Sequence, residues 1–324
     1  MATLESLLFK NRRWINILKW IWLPVVFGGI VYYISKNHQI LLKYLGSVSI
    51  PYLLLSMILL LGGKLFFARL TMQSVWGQPW KPTFSQMVYA HSMTQLAKYL
   101  PGSVWQFVGL FGLYRTNGLS NVQAGKSILV ENTWLLSSAI YFGVGVVTIS
   151  HDELIFSFLR IPYRLWIQVA LVLFILAAWI FTIFIIDRVV FRTNRRSLQG
   201  LLSIMLTQML AWSFIGAAFW VPLLAINQDI HFGIIAIGSF ALSWVVGFVT
   251  IFAPGGLGVR EAMLTILLSG LIPAEASLIY AAVNRFAWIF IEICLGIFCE
   301  LFFGSGKLSN LFKSGETAAK ENIH

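Results

Sequence analysis

The sequence predicts an all-α, polytopic membrane protein, and three observations support this class. Hydrophobic residues make up 58% of the 324 residues and charged residues only 11%, whereas soluble domains carry about 25% charged residues. The mean hydropathy is +0.81. Apolar runs recur along the chain. Their length is close to the roughly 20 residues that a helix needs to cross a hydrocarbon core of about 30 Å. Because lipid cannot satisfy unpaired backbone groups, such runs are expected to form helices.

Six full membrane spans are expected from the uninterrupted apolar runs. In chain order the runs are Trp20–Ile34, Ile50–Leu70, Ala124–Ile149, Leu165–Ile186, Gln199–Leu224 and Leu278–Phe303. The first run is short for a span, so its helix is expected to begin nearer Ile15. Residues 1–303 then form a single integral membrane domain, and residues 304–324 form a flexible cytoplasmic tail.

Two further apolar stretches are broken by turn residues, at residues 101–103 and at residues 253–258. The arms beside these breaks are Phe84–Lys98 and Val104–Tyr114 for the first, and Phe232–Phe252 and Val259–Ile272 for the second. An arm of about 14 residues reaches about 21 Å, which is too short to cross the membrane comfortably. We therefore predict two re-entrant or broken helical hairpins, although Phe232–Phe252 is long enough to cross by itself. The two breaks are expected to meet near the membrane centre and form the working site.

The distribution of positive charge predicts the orientation. Most Lys and Arg residues, with Lys64 counted among them, fall on segments that this topology places inside the cell. Both termini are therefore expected in the cytoplasm, with the protein in the plasma (inner) membrane. The net charge of +11 is interpreted as an attraction to anionic lipid headgroups, with no nucleic-acid partner. The elements before and after Leu165–Ile186 run in opposite directions, which predicts an inverted repeat of the kind found in many transporters.

Each break is expected to start a helix inside the protein. Ser103, followed three residues later by Gln106, has the form of a capping box, and Gly258 followed by Glu261 offers a similar start. The free N–H groups of such helix starts favour a phosphate or a carboxylate. Arg260 adds a planar fork suited to phosphate oxygens. The alternative is that Pro and Gly only let helices pack closely, with Arg260 paired to Glu261 or to another carboxylate.

Charged residues inside apolar runs indicate an inward-facing polar site, because each costs about 2.5–3.5 kcal/mol at the membrane centre. Helical spacing places His91, Gln95 and Lys98 on one face, and Asn284, Trp288 and Glu292 on another. Arg285 could instead form a salt bridge with Glu131 that only joins two helices. The predicted substrate-binding residues are Arg260, Glu261, Arg285, Lys98, Glu131, Asn284, Pro101, Gly102, Ser103, Pro254, Gly255, Gly256 and Gly258. No catalytic residue, metal or cofactor is predicted.

Both breaks carry a family resemblance. Residues 96–105, Leu-Ala-Lys-Tyr-Leu-Pro-Gly-Ser-Val-Trp, and residues 253–261, Ala-Pro-Gly-Gly-Leu-Gly-Val-Arg-Glu, resemble the two signature segments of the lysylphosphatidylglycerol synthase transmembrane-region family. The resemblance implies lipid translocation or a role in making lipid-linked glycans. Because only a short tail follows Phe303, the chain resembles a stand-alone member without the soluble aminoacyl-transferase domain, and lipid aminoacylation is not expected.

These observations favour translocation of an anionic lipid, or of a polyprenyl-phosphate-linked lipid, during envelope lipid or glycan synthesis. In this interpretation Arg260, Arg285 and Lys98 hold the headgroup phosphate, which is the expected ligand. Two alternatives remain open. One is an intramembrane transferase that uses Glu131 or Glu261 as a general base on a lipid-linked sugar. The other is a scaffold for envelope-synthesis enzymes, with glycosyltransferases as the expected protein partners.

Overall fold

The computed structural model describes residues 35–99, 104–150, 165–191, 195–250 and 253–303. Regular secondary structure within these ranges is helical throughout. The α-helices are α1 (35–46), α2 (Ile50–Ser74), α3 (Phe84–Leu96), α4 (Trp105–Thr116), α5 (Asn121–Ser150), α6 (Leu165–Val190), α7 (Leu198–Leu223), α8 (Ile230–Val249), α9 (Val259–Leu267) and α10 (Ala274–Phe303). Two short 3-10 helices, Ala97–Tyr99 and Pro254–Gly256, lie beside the breaks. The predicted first span and the predicted tail lie outside the described residues.

Five of the described helices are long and apolar enough to cross a membrane. They are α2, α5 up to Ile149, α6, α7 and α8. Helices α2, α5 and α6 contain the expected spans, and α7 contains Gln199–Leu224 except for its last residue. Helix α10, with 30 residues, contains Leu278–Phe303 but is not one of the five. The all-α, polytopic membrane class is therefore confirmed.

The two hairpins differ in the lengths of their arms. In the first, α3 has 13 residues and α4 has 12, and these helices reach about 20 Å and 18 Å. In the second, α8 has 20 residues and α9 has nine. Since α8 reaches about 30 Å, it is long enough to cross the hydrocarbon core. The re-entrant path therefore stays a prediction, and it fits the first hairpin better than the second.

The helix packing follows a reciprocal pattern between two halves, α2–α5 and α7–α10. Helix α2 packs against α7, and the two 3-10 segments pack against each other. Helix α5 packs on α8 as α10 packs on α3, and the contacts of α2 with α3 recur between α7 and α8. Contacts of this kind arise when two similar halves face each other across a two-fold axis. The packing supports the predicted repeat, with α6 between the halves.

A buried ion pair fastens the connection between α6 and α7. Arg196 donates to Asp187 at 2.7 Å, and both side chains are buried. The same guanidinium donates to the backbone oxygen of Gln73 near the end of α2 and lies 5.2 Å from the ring of Trp134. Burial lowers the pKa of Arg196, while its hydrogen bond and charge interaction with Asp187 act in the opposite direction. These contacts join α2, α5 and α6 at one end of the molecule.

Candidate functional site

The segment that precedes the first break meets the second break. The 3-10 segment Ala97–Tyr99 packs against the 3-10 segment Pro254–Gly256, as expected if the two breaks come together. Residues 101–103, predicted to bind substrate, lie outside the described residues. Ser103, the expected cap of α4, is one of these residues, and the described helix begins at Trp105.

The second break turns through glycines in the left-handed region. Gly255, Gly256 and Gly258 have φ values of 58°, 72° and 82°, which glycine adopts without steric cost. A Cβ on Gly256 would lie 2.8 Å from the Cα of Gly247 on α8. The backbones at these two glycines therefore touch, and the turn folds α9 back along the end of α8.

A cavity of about 370 Å³ opens where the breaks meet. This volume falls at the lower end of the range of about 300–1,000 Å³ typical of small-molecule sites. Of the described residues, four with cationic side chains line it, namely Lys64, Lys98, Arg260 and Arg285. Its apolar wall includes Phe240, Trp244, Phe248 and Trp288. A polar headgroup fits such a volume, whereas the acyl chains of a lipid do not.

One carboxylate oxygen holds the two lysines. Lys64 and Lys98 both contact Oε1 of Glu292, the latter at 2.5 Å. The indole Nε1 of Trp288 donates to the same oxygen at 2.8 Å. The ammonium of Lys64 also lies 3.8 Å from the centroid of the Trp288 ring, a cation–π geometry. This cluster fixes two positive charges at the cavity wall with one compensating carboxylate.

Arg285 and Glu261 bridge α10 to the second break. Arg285 donates to Glu261 Oε1 at 3.1 Å and to the backbone oxygen of Gly255 at 2.8 Å. The other oxygen of Glu261 accepts from the Gly258 N–H at 2.8 Å, so the start of α9 predicted from the sequence is confirmed. The suggested pairing of Arg285 with Glu131 is wrong, because Glu261 is the carboxylate that Arg285 contacts.

Arg260 lies over the aromatic wall. Its guanidinium carbon is 4.7 Å from the ring centroid of Phe240 and 5.3 Å from that of Trp288. The aliphatic part of the side chain packs against Gly247, where a Cβ would be 2.6 Å from Arg260 Cγ. The glycine on α8 thus makes the space in which Arg260 reaches the cavity.

Asn284 offers an unused donor. Its side chain is buried and lines the cavity, and its Nδ2 has no hydrogen-bond partner within the described residues. A buried donor left without a partner costs about 1–3 kcal/mol. An acceptor on a bound ligand would satisfy this group.

Glu131 lies behind the cavity. It is not among the lining residues, whereas His91, to which it is linked through Thr71, is one of them. The sequence also misplaced Lys64, which is buried inside α2 at 2% exposure and not on a cytoplasmic segment. The signal was present, because a lysine within an apolar run marks a functional site by default.

Together these features define an integral membrane protein with an internal, cation-lined cavity between two broken helices. The chain belongs to the family described as the lysylphosphatidylglycerol synthase TM region, whose model matches residues 20–296. This match confirms the resemblance seen at the two breaks and places the protein among membrane proteins that handle lipids. A search of curated proteins gives no match.

Proposed function

We propose that the protein translocates an anionic lipid across the membrane by binding the headgroup phosphate in this cavity. The observation that carries the proposal is the charge of the site. Among the described residues, four cations face two carboxylates, Glu261 and Glu292, which leaves a formal excess of two positive charges. Such an excess in a low-dielectric interior favours an anionic ligand.

The geometry suggests how a phosphate is held. Arg260 and Arg285 present planar guanidinium groups that match phosphate oxygens, while Lys98 acts as a point charge. Asn284 supplies the neutral donor whose Nδ2 is unsatisfied within the described part of the chain. Since the cavity of about 370 Å³ holds a headgroup and not acyl chains, the chains stay in the bilayer while the headgroup crosses.

The contacts of the two candidate bases favour translocation over the transferase alternative. Glu261 accepts hydrogen bonds on both oxygens, from Gly258 and from Arg285. Glu131 does not line the cavity. A general base must reach the proton that it abstracts. Glu131 lies away from the cavity lining, and Glu261 is engaged in holding Gly258 and Arg285, which favours a structural role for it.

In the proposed orientation the protein lies in the plasma membrane, and both of its termini face the cytoplasm. It rests on the excess of Lys and Arg on the segments assigned to the inner side. Moving Lys64 from that set to the interior leaves the asymmetry in place, because most of the remaining basic residues still fall on the inner side.

The test is a translocation assay in liposomes. Purified protein is reconstituted with an anionic phospholipid labelled on a short acyl chain, so that its headgroup stays native, and with an impermeant quencher. Parallel vesicles carry a labelled polyprenyl phosphate or a labelled zwitterionic phospholipid. We expect wild-type protein to speed movement of at least one anionic lipid, and the arm that responds identifies the source of the phosphate.

Variants then connect the activity to the cavity. Arg260→Ala removes charge-assisted hydrogen bonds worth about 1.5–3 kcal/mol, which corresponds to a rate about 10- to 150-fold lower. Arg69→Ala is the matched control, because Arg69 is exposed on α2 and does not line the cavity. If neither anionic lipid moves faster than in empty vesicles, the proposal fails.

A further inference from the structure

A chain of three polar side chains connects the cavity to a buried carboxylate. Thr71 Oγ1 on α2 donates to Glu131 Oε1 on α5 at 2.6 Å, and it lies 3.1 Å from Nδ1 of His91 on α3. All three side chains are buried, with exposures of 0%, 4% and 4% for Thr71, His91 and Glu131. Of the three, His91 lines the cavity. The phosphate site described above does not use this chain.

The hydroxyl of Thr71 has more neighbours than it has protons. It contacts Glu131 and His91, and also the backbone oxygen of Phe67 at 3.1 Å. With its one proton on the Glu131 side, Thr71 accepts from the Nδ1–H of His91. With that proton on the His91 side, a protonated Glu131 donates to Thr71 instead. The same heavy-atom geometry therefore suits two proton arrangements.

Both ends of the chain have an unused atom. His91 Nε2 and Glu131 Oε2 are buried and lack a hydrogen-bond partner among the described residues. Buried polar groups are nearly always satisfied in folded proteins, and each exception requires an explanation. A proton that enters at His91 Nε2 explains the first, and a neutral carboxyl group at Glu131, whose second oxygen costs less to bury unpaired than that of a carboxylate, fits the second.

We propose that Glu131 takes up a proton from the cavity through His91 and Thr71, and that this uptake couples lipid movement to a proton gradient. The coupling rests on the proposed translocation. A proton added to His91 Nε2 releases the Nδ1 proton to Thr71 Oγ1, and the Thr71 proton passes to Glu131 Oε1. His91 ends neutral with its proton on Nε2, Thr71 is unchanged, and Glu131 becomes a neutral carboxyl group.

The surrounding charges determine that phosphate binding and proton uptake favour each other. Lys64, Lys98 and Glu292 act on His91 across space, and their net charge of one positive unit opposes a lasting imidazolium. On the far side, Glu131 interacts with the phenol of Tyr114 on α4. A lipid phosphate entering the cavity adds negative charge near His91 and so favours proton entry. Because linkage is reciprocal, a proton on Glu131 then strengthens phosphate binding.

The test measures the steady-state distribution of the labelled anionic lipid between leaflets. Proteoliposomes carry a gradient of one pH unit, and potassium with valinomycin holds the membrane potential at zero. Coupling of one proton per lipid corresponds to a leaflet ratio of up to about tenfold. We expect wild-type protein to shift the ratio well above one, and Glu131→Gln and Thr71→Val to return it to one.

Matched variants separate the relay from general damage. Thr71→Ser keeps the hydroxyl and should keep the shifted ratio. Glu300→Gln makes the same carboxylate-to-amide change outside the cavity lining, where Glu300 accepts a hydrogen bond from Tyr89, and should also keep it. Wild-type protein that moves lipid but holds a ratio of one under the gradient overturns the coupling and leaves translocation intact. A shifted ratio in Thr71→Val overturns the relay, and absence of any lipid movement in wild type overturns both.

Discussion

Lys64 on α2 and Glu292 on α10 form an ion pair that is buried in the membrane domain, with each side chain 2% exposed. The pair joins one half of the molecule to the other, and Lys98 from the first hairpin contacts the same carboxylate oxygen. Helix α2, helix α10 and the first hairpin therefore meet at one charge, the carboxylate of Glu292. The proposed site and the packing of the two halves therefore depend on the same buried charges.

Removing the carboxylate should cost more stability than removing one lysine. Glu292→Gln leaves Lys64 and Lys98 without their shared partner, and an uncompensated buried charge costs about 3–5 kcal/mol. Lys64→Met leaves Lys98 and Glu292 paired at 2.5 Å, so its cost should be smaller. Denaturant titration of both variants in detergent measures the two free energies of unfolding. Equal losses would contradict the shared-carboxylate geometry.

Asn284→Leu should make the protein more stable but slower in lipid translocation. The substitution removes the buried Nδ2 that is unpartnered in the described structure, so the free energy of unfolding should rise by about 1 kcal/mol. The rate of lipid translocation should fall, because a donor to the phosphate is lost. Thermal unfolding and the liposome assay on one preparation measure both quantities. A variant that is less stable, or equally active, refutes the assigned role.

Gly256→Ala should damage the second break more than Gly270→Ala. Both glycines have positive φ, 72° and 83°, so both substitutions carry backbone strain of about 1–3 kcal/mol. Only the Cβ at Gly256 also meets another backbone, at 2.8 Å from Gly247 Cα, whereas the space around Gly270 is open to 4 Å. Translocation rates and unfolding temperatures of the two variants decide the matter. Similar effects would mean that the close approach to Gly247 is unimportant.

Asp187→Asn should destabilise the protein strongly, because it leaves Arg196 buried without its carboxylate at a cost of about 3–5 kcal/mol. Asp229→Asn is the control, since Asp229 is the N-cap of α8 and Asn caps as well as Asp. Denaturant titration should separate the two by several kcal/mol. Near-equal stabilities would show that the Asp187–Arg196 pair is not important for the fold.

Arg285→Lys tests the bridge to the second break. A lysine cannot reproduce the two directed donors that reach Glu261 and the Gly255 oxygen. Translocation should slow by about tenfold, the effect of losing roughly 1.4 kcal/mol, while Arg69→Lys changes little. Full activity in Arg285→Lys would mean that only the charge at this position matters.

The sequence was sufficient for the class and for the spans that fall within the described residues, because apolar length and turn chemistry are local signals. Glycine and Glu261 at the start of α9 were predictable for the same reason. The partner of Arg285 could not be predicted, because position along the chain does not distinguish between the two candidate carboxylates, Glu131 and Glu261. Lys64 was wrongly counted among the cytoplasmic residues, because a count of charges along the sequence contains no information about which side chains are buried.

The most direct test of the central claim locates a bound lipid phosphate. A phospholipid with a photoreactive diazirine in its headgroup is irradiated with the reconstituted protein, and the labelled peptides are identified by mass spectrometry. A phosphate held in the cavity predicts labels within residues 91–98, 255–264 and 281–288, which weaken in Arg260→Ala. Labels confined to exposed positions on the outer face of α10, such as Phe290 at 54% exposure, and unchanged in that variant, would contradict the claim.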